Sequence, residues 1–240
     1  EGMDNRHNPE FTTIELYQAY GDLRSMMDWA EGLFHSIAKR VVGKDQYEWN
    51  GNTIDLDKPF AVKTMAEAVK EKTGIDFTED IPFEKAVELA KEHHVPLEQS
   101  WNSTGYIMQA FFDEFVEPTL IQPTFITTYP IEVSPLTKKT ADPRFVDRFE
   151  LFIGGIEFGN AYSELNNPFD QMERFQAQLA ARNRGDDEAN EIDYSFMDAM
   201  EYGMQPAGGI GVGIDRLCMF FCEEPTIREV LLFPTMKDEK

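Results

Sequence analysis

Gly208-Gly209-Ile210-Gly211-Val212-Gly213-Ile214-Asp215-Arg216-Leu217 decides how this chain is read. Glycines at 209, 211 and 213 alternate with Ile210, Val212 and Ile214. Alternate residues of a strand share a face, so one face here is apolar and the other carries no side chains. A bare strand face invites close approach by another backbone or a flat ligand. The pattern then turns helical and delivers Arg216 at the first turn. A bare platform with an arginine at its end suits a flat, anionic ligand such as a nucleotide. A glycine-rich strand packed tightly on its neighbour accounts for the same letters, and this stretch alone leaves both readings open.

A second segment weighs between them. Phe149-Glu150-Leu151-Phe152-Ile153-Gly154-Gly155-Ile156-Glu157-Phe158 reads as a hairpin closed by Gly154-Gly155. A two-residue turn sets Phe152 opposite Glu157 and Glu150 opposite Gly159. Glu150 and Glu157 then share a face as diagonal neighbours, roughly 7–8 Å apart. Two carboxylates on one sheet face can hold a divalent cation, and carboxylate with phosphate oxygens is the ligand set that Mg²⁺ prefers. Taken alone, the pair reads equally as two solvated glutamates. Beyond it, Asn160, Tyr162 and Glu164 form an i, i+2, i+4 row. Glu157 and Asn160 differ by three, so they share a face only across a bulge, expected at or beside Gly159.

Here the residues resemble a family. The glycine strand ending in Asp215-Arg216 resembles motif 3 of class II aminoacyl-tRNA synthetases. Glu1-Gly2-Met3, followed by His7-Asn8-Pro9-Glu10-Phe11-Thr12-Thr13, resembles the loop and second strand of motif 2. Glu15-Leu16-Tyr17, Ser134-Pro135-Leu136, Gly159-Asn160, Ser163-Glu164-Leu165-Asn166 and Leu231-Leu232-Phe233-Pro234 are similar to the lysyl-tRNA synthetases in particular. The matches fall in order along essentially the whole chain. The resemblance implies an α+β fold: an antiparallel sheet flanked by helices, with a helical insertion. It divides the chain into 1–60 (motif 2 strand, helix and hairpin), 61–118 (insertion) and 119–240 (the remainder, with motif 3). Motif 2 in this family reads Arg-Asn-Glu, and this chain starts at the Glu. The expectation is a piece cut inside motif 2, without its arginine and first strand, motif 1 and the anticodon-binding OB domain, and inactive in isolation.

The same resemblance implies roles. Arg216 would stack on the adenine of ATP and hold the triphosphate, as the catalytic residue. Phe11 would cover the other adenine face, His7 would reach the triphosphate, and Glu1 would lie near the adenine. Glu150 and Glu157 would hold Mg²⁺. Glu164 and Tyr17 would recognise the side-chain amine of lysine, Glu15 its α-amine, and Asn160 its carboxylate, with Tyr162 against the aliphatic stem. The implied activity is lysine activation and transfer to the acceptor end of tRNA(Lys), by a cytoplasmic homodimer. A paralogue that lysylates elongation factor P, or a non-catalytic binding module of the same fold, are the alternatives. The helical insertion and the Ser-Glu-Leu-Asn run favour the tRNA enzyme over the first, and intact Glu150, Glu157, Glu164 and Arg216 argue against the second.

Composition sets bounds. The 240 residues carry 22 basic and 44 acidic side chains, a net charge of −22. Such a surface repels a polyanion, so broad coating by nucleic acid is excluded. Nothing resembles a signal peptide or a membrane span. Cys218 and Cys222 lie four apart among apolar neighbours; they read as buried small hydrophobes rather than a metal pair. Strands are expected at 11–20 and 122–130 and within a hairpin at 148–165. A helix should follow capping Asp22 and end at Gly43, with a hairpin about Asn50-Gly51. Three insertion helices are expected at 64–72, 83–93 and 105–116, and two more at 170–184 and 194–202. His93-His94 reads as a dipole partner at a helix end rather than a metal pair.

Overall fold

Alternating apolar and polar residues, punctuated by glycine, build eight strands in the computed structural model, which describes residues 3–185 and 191–234. Glu1, expected near the adenine, lies outside the described residues, as does most of the acidic connection after Gly185. The strands are β1 (Thr13–Ala19), β2 (Gln46–Trp49), β3 (Asn52–Asp55), β4 (Ala61–Thr64), β5 (Thr124–Pro130), β6 (Phe145–Ile153), β7 (Ile156–Ser163) and β8 (Ala207–Gly213). Six form the main sheet in the order β1-β8-β7-β6-β5-β4, and β2 and β3 make a separate hairpin. Every pair in the main sheet is antiparallel except β4 with β5. Residues 61–64, expected in the insertion, are therefore an edge strand of the main sheet. Four residues are too few for a period of two to declare itself.

Helix α1 (Leu23–Ile37) starts where expected. Asp22 accepts from the Ser25 amide at 2.9 Å and the Ser25 hydroxyl accepts from the Asp22 amide at 2.8 Å, a reciprocal cap. The helix runs into a π-helical turn, Ala38–Val42, closed by Gly43 at φ +80°. Its buried stripe of Leu23, Met26, Met27, Ala30 and Phe34 packs on one sheet face with Phe149, Leu151, Phe158, Ala161, Ile210 and Val212. Helix α7 (Ile214–Cys222) and the β2–β3 hairpin close this core through Phe220, Tyr47 and Trp49. Fully burying each such side chain is worth about 1.5–3 kcal/mol, so this face carries most of the sheet's anchorage.

The opposite face is covered only at one end. Helices α2 (Met65–Thr73), α3 (Phe83–Glu92) and α4 (Thr104–Phe115) share a second core with Ile126, Tyr129, Val146 and Phe152. Towards β7, β8 and β1 that face stays open. Edge strand β1 pairs with β8, and its Ile14 and Tyr17 are exposed. Helix α5 (Pro168–Asn183) bonds to Ile131, Pro135 and Thr137, and α6 (Tyr194–Glu201) lies beside Tyr17 and Ala19 of β1. Among the described residues no helix is long and apolar enough to cross a membrane.

The hairpin turn is as expected, with φ +62° at Gly154 and +71° at Gly155. Gly154 has a second duty, because a Cβ there would lie 2.3 Å from the Trp49 indole. The register beyond the turn is shifted: Phe152 pairs with Glu157 but Leu151 with Gly159. Phe158 is the extra residue of a bulge. Glu150 therefore sits opposite Asn160, not opposite Gly159 as the uninterrupted ladder predicts. Gly159 is not among the glycines at positive φ; a Cβ there would lie 3.1 Å from the Gly211 carbonyl and 3.3 Å from Val212 Cγ2. Small size beside β8, not an unusual backbone angle, is what the position demands. Cys218 and Cys222 also differ from expectation: both are exposed and free. Helix α7 buries Asp215, Leu217, Met219 and Phe220, which leaves both thiols off the buried stripe.

Candidate functional site

The bulge and the glycine strand together build one polar sheet face. Backbone pairing aligns Glu15, Gly211, Asn160 and Glu150 as one row across β1, β8, β7 and β6, and Tyr17, Gly209, Tyr162 and Arg148 as the next. The extra residue at Phe158 sends Ile156, Phe158 and Ala161 to the core, and puts Glu157 on the face shared by Asn160 and Tyr162. The three glycines then differ in what overlies them. A Cβ at Gly209 would lie 2.1 Å from Glu164 Oε1 and 2.9 Å from the Tyr17 ring. One at Gly213 would meet Arg216 at 3.8 Å, and one at Gly211 would meet nothing within 4 Å. The bare face is thus filled at both ends and open in the middle.

Above Gly211 and Gly213 lies a cavity of about 540 Å³, lined among others by His7, Phe11, Glu157, Asn160 and Arg216. Arg216 donates to the Glu157 carbonyl at 2.7 Å, and its guanidinium lies 3.7 Å from the Glu157 carboxylate and 3.3 Å from His7 Nε2. His7 is held from behind by Asp4, at 2.8 Å from Nδ1. The His7 hydrogen bond and the Arg6 amide lower Asp4 to a pKa of about 2. Asp215 accepts from the Thr12 amide at 2.6 Å, which ties the loop carrying His7 and Phe11 to the start of α7. Phe11 is 58% exposed and offers its ring to the cavity mouth.

Glu15, Tyr17, Tyr162, Glu164 and Glu150 do not line that cavity; they continue the face on either side of it. Glu164 Oε1 is buried without a hydrogen-bond partner among the described residues. Burial first, and the Glu15 charge second, raise Glu164 to a pKa of about 7. The Tyr17 hydroxyl donates to Glu15 at 3.1 Å. Burial and that bond push the phenol up to about 12. A half-buried carboxylate beside a second carboxylate and two phenols is complementary to a cation.

Glu150 and Glu157 are the carboxylates that could share a divalent cation. Burial, and then the Glu150 charge, raise the Glu157 pKa above its ordinary value, while Arg216 and Arg148 oppose the shift. Glu150 accepts from the Tyr129 hydroxyl at 2.9 Å and from Arg148. Among the described residues no group of three or more His, Cys, Asp or Glu side chains is placed to hold a metal ion. A cation here would need oxygens from a ligand to complete its shell, as Mg²⁺ usually does.

Sequence reasoning missed Arg148, Asp4 and Asp215. For Arg148 the signal was present: a basic residue two before Glu150 in the same strand shares its face. Asp4 sits three before His7 and bonds its ring, and Asp215 holds the Thr12 amide next to Phe11.

A flat platform bounded by Arg216, beside an unpaired carboxylate on the same sheet, defines the class. The profile of the tRNA synthetases class II (D, K and N) matches residues 1–237, and the chain belongs to that family. The chain is 57% identical over 238 residues to the lysine–tRNA ligase of Streptococcus thermophilus, covering 99% of this chain and 48% of that protein. It is 55% identical to the lysine–tRNA ligases of Streptococcus suis and Streptococcus agalactiae over the same shares. The chain spans about half the length of the curated relatives it matches.

Proposed function

We propose that this chain is the part of a lysine–tRNA ligase that activates lysine with ATP and passes it to the acceptor end of tRNA(Lys). The observation that carries the reading is Glu164: a half-buried carboxylate whose Oε1 is buried with no hydrogen-bond partner among the described residues, on the same bare face as the Arg216 cavity. A buried charge is costly unless paired, and the ammonium of a lysine side chain is the matching partner. Tyr17 adds its hydroxyl to the amine, Glu15 takes the α-amine, Tyr162 packs on the stem and Asn160 holds the carboxylate. Adenine lies over Gly211 between Phe11 and Arg216, with His7 towards the phosphates. The reaction joins two anions, so the protein contributes alignment and positive charge rather than proton transfer. Glu150 and Glu157 are the side chains that would hold Mg²⁺, which would supply positive charge to offset that of the phosphates. On the same reading the parent protein is a cytoplasmic homodimer, with helices α2 to α4 a helical insertion in its catalytic domain.

The test is lysine-dependent ATP–pyrophosphate exchange by a full-length protein carrying this sequence, with the other amino acids as controls. Exchange that needs lysine and is lost in Arg216→Ala supports the reading. Exchange driven equally by a neutral amino acid, or none at all, overturns it. Glu157→Gln should cut exchange about tenfold or more while calorimetric lysine binding changes less; unchanged exchange removes the metal role.

A further inference from the structure

Arg148 is a residue of the polar face that the reading above leaves idle. Its side chain is only 15% exposed at the centre of the polar face. Its Nη1 donates to the Val133 carbonyl at 2.8 Å and to the Ser134 hydroxyl at 2.9 Å. Its Nη2 bonds Glu150, and the guanidinium lies 4.6 Å from the Tyr129 ring centroid. A further donor, Nε, lies 3.0 Å from the terminal oxygen of Asn160. A guanidinium has donors and no acceptor, so the atom facing Nε has to be the amide oxygen and not the amide nitrogen. The orientation of the Asn160 amide is therefore set by chemistry. Its Oδ1 is engaged by Arg148, and its NH₂ is left to the cavity that Asn160 lines.

We infer that Arg148 is a positioning residue: it fixes the Asn160 amide so that this side chain presents donors, and rejects a donor, at the place where a substrate carboxylate would lie. The inference rests on the proposed amino-acid site for what the carboxylate belongs to, but the orientation itself does not. Without Arg148 the amide could turn over at little cost and offer its oxygen to an anionic ligand. Lysine would not serve as a substitute. Its ammonium is a single point charge and cannot reproduce the fork that reaches Asn160, Glu150, Val133 and Ser134 together.

The experiment compares L-lysine with cadaverine, which has the same stem and amines but no carboxylate, by calorimetry on the full-length protein. Arg148→Lys keeps the charge beside Glu150, and Arg148→Met removes it; thermal melts show which of them fold. The lysine dissociation constant should rise about tenfold to hundredfold, the usual worth of a hydrogen bond to a charged group, while that of cadaverine moves less than about threefold. In an Asn160→Ala background, Arg148→Lys should add no further loss of lysine-over-cadaverine preference. Equal losses for both ligands, an unchanged preference, or a full Arg148 effect without Asn160 overturn the inference. If the unaltered protein does not bind lysine, the functional reading fails first. The Asn160 side-chain amide resonances in nitrogen-15 spectra then decide this point: a shift or broadening in Arg148→Lys supports the positioning role, and unmoved signals refute it.

Discussion

Glu164 shows how much of the chemistry one side chain can carry. Its pKa of about 7 comes from burial and the Glu15 charge, and the groups around it are Glu15, Tyr17 and Tyr162, none of them cationic. An ammonium ligand needs it ionised. Lysine affinity should therefore hold steady above neutrality and fall as pH drops below about 7, approaching tenfold per pH unit. Glu164→Gln should cost about 2–5 kcal/mol of lysine binding and abolish that pH dependence, with ATP binding nearly intact. Calorimetric titrations between about pH 5.5 and 8 check both; a flat profile in the unaltered protein would mean that Glu164 does not meet the ammonium. The sequence showed Glu164 through its place in the 160, 162, 164 row. It placed Arg148 on the face of Glu150 but did not show its role, because a charged pair such as Asp147-Arg148 in a strand reads as solvent-facing until the neighbouring strands are known.

At the scale of elements, the glycine strand and the bulge beside it divide the face between two ligands. Gly209 and Gly211 look alike in the sequence but have opposite surroundings. An added methyl at Gly209 would overlap Glu164 Oε1 and crowd the Tyr17 ring. Gly209→Ala should displace both, weaken lysine binding at least about tenfold and cost roughly 1–3 kcal/mol of stability. A methyl at Gly211 meets nothing. Gly211→Ala should leave the melting temperature unchanged or slightly higher, and weaken ATP by raising the floor under a flat ring. If both variants lose the same ligand, the division is wrong. The need for an irregularity near Gly159 was legible from parity alone, since a spacing of three cannot share a face in a regular ladder. Its exact residue, Phe158, was not, because an extra residue at 158 or at 159 restores parity equally and the choice falls to core packing. The bulge itself also moved Glu150 opposite Asn160.

Over the whole molecule, acidity is the property that the fold has to manage. Periodicity and caps marked out the helices well, whereas β4 escaped notice because its place depends on a parallel partner some 60 residues away, Ala61 with Thr124. Net charge was plain from composition, but not its distribution. Some carboxylates are stabilised: Asp4 and Asp76 fall to about 2, held by hydrogen bonds from His7 and Lys70. Others are opposed: burial raises Glu164 and Glu117 to about 7, with Asp113 the next cause for Glu117. The signs then separate by pH. A lowered carboxylate contributes stability that is lost only as pH falls below its ordinary value of about 4. A raised carboxylate binds its proton more tightly when folded, so its contribution is present in acid and lost as pH rises through about 7. Between about pH 8 and 5.5 only the raised groups titrate among these, so the ligand-free chain should gain stability on acidification. The self-repulsion of 22 excess negative charges acts in the same direction. Salt at about 0.5 M screens exposed charges and not buried ones, so the part of the gain that survives salt belongs to the carboxylates raised by burial, Glu164, Glu117 and Asp113 among them. Scanning calorimetry should show a melting temperature several degrees higher at about pH 5.5 than at pH 8, at about 2–4 °C per kcal/mol for a chain of this size. Glu164→Gln should raise the value at pH 8 and shrink the difference; a melting temperature that falls on acidification over this range would show that the polar face does not hold its carboxylates against their charge.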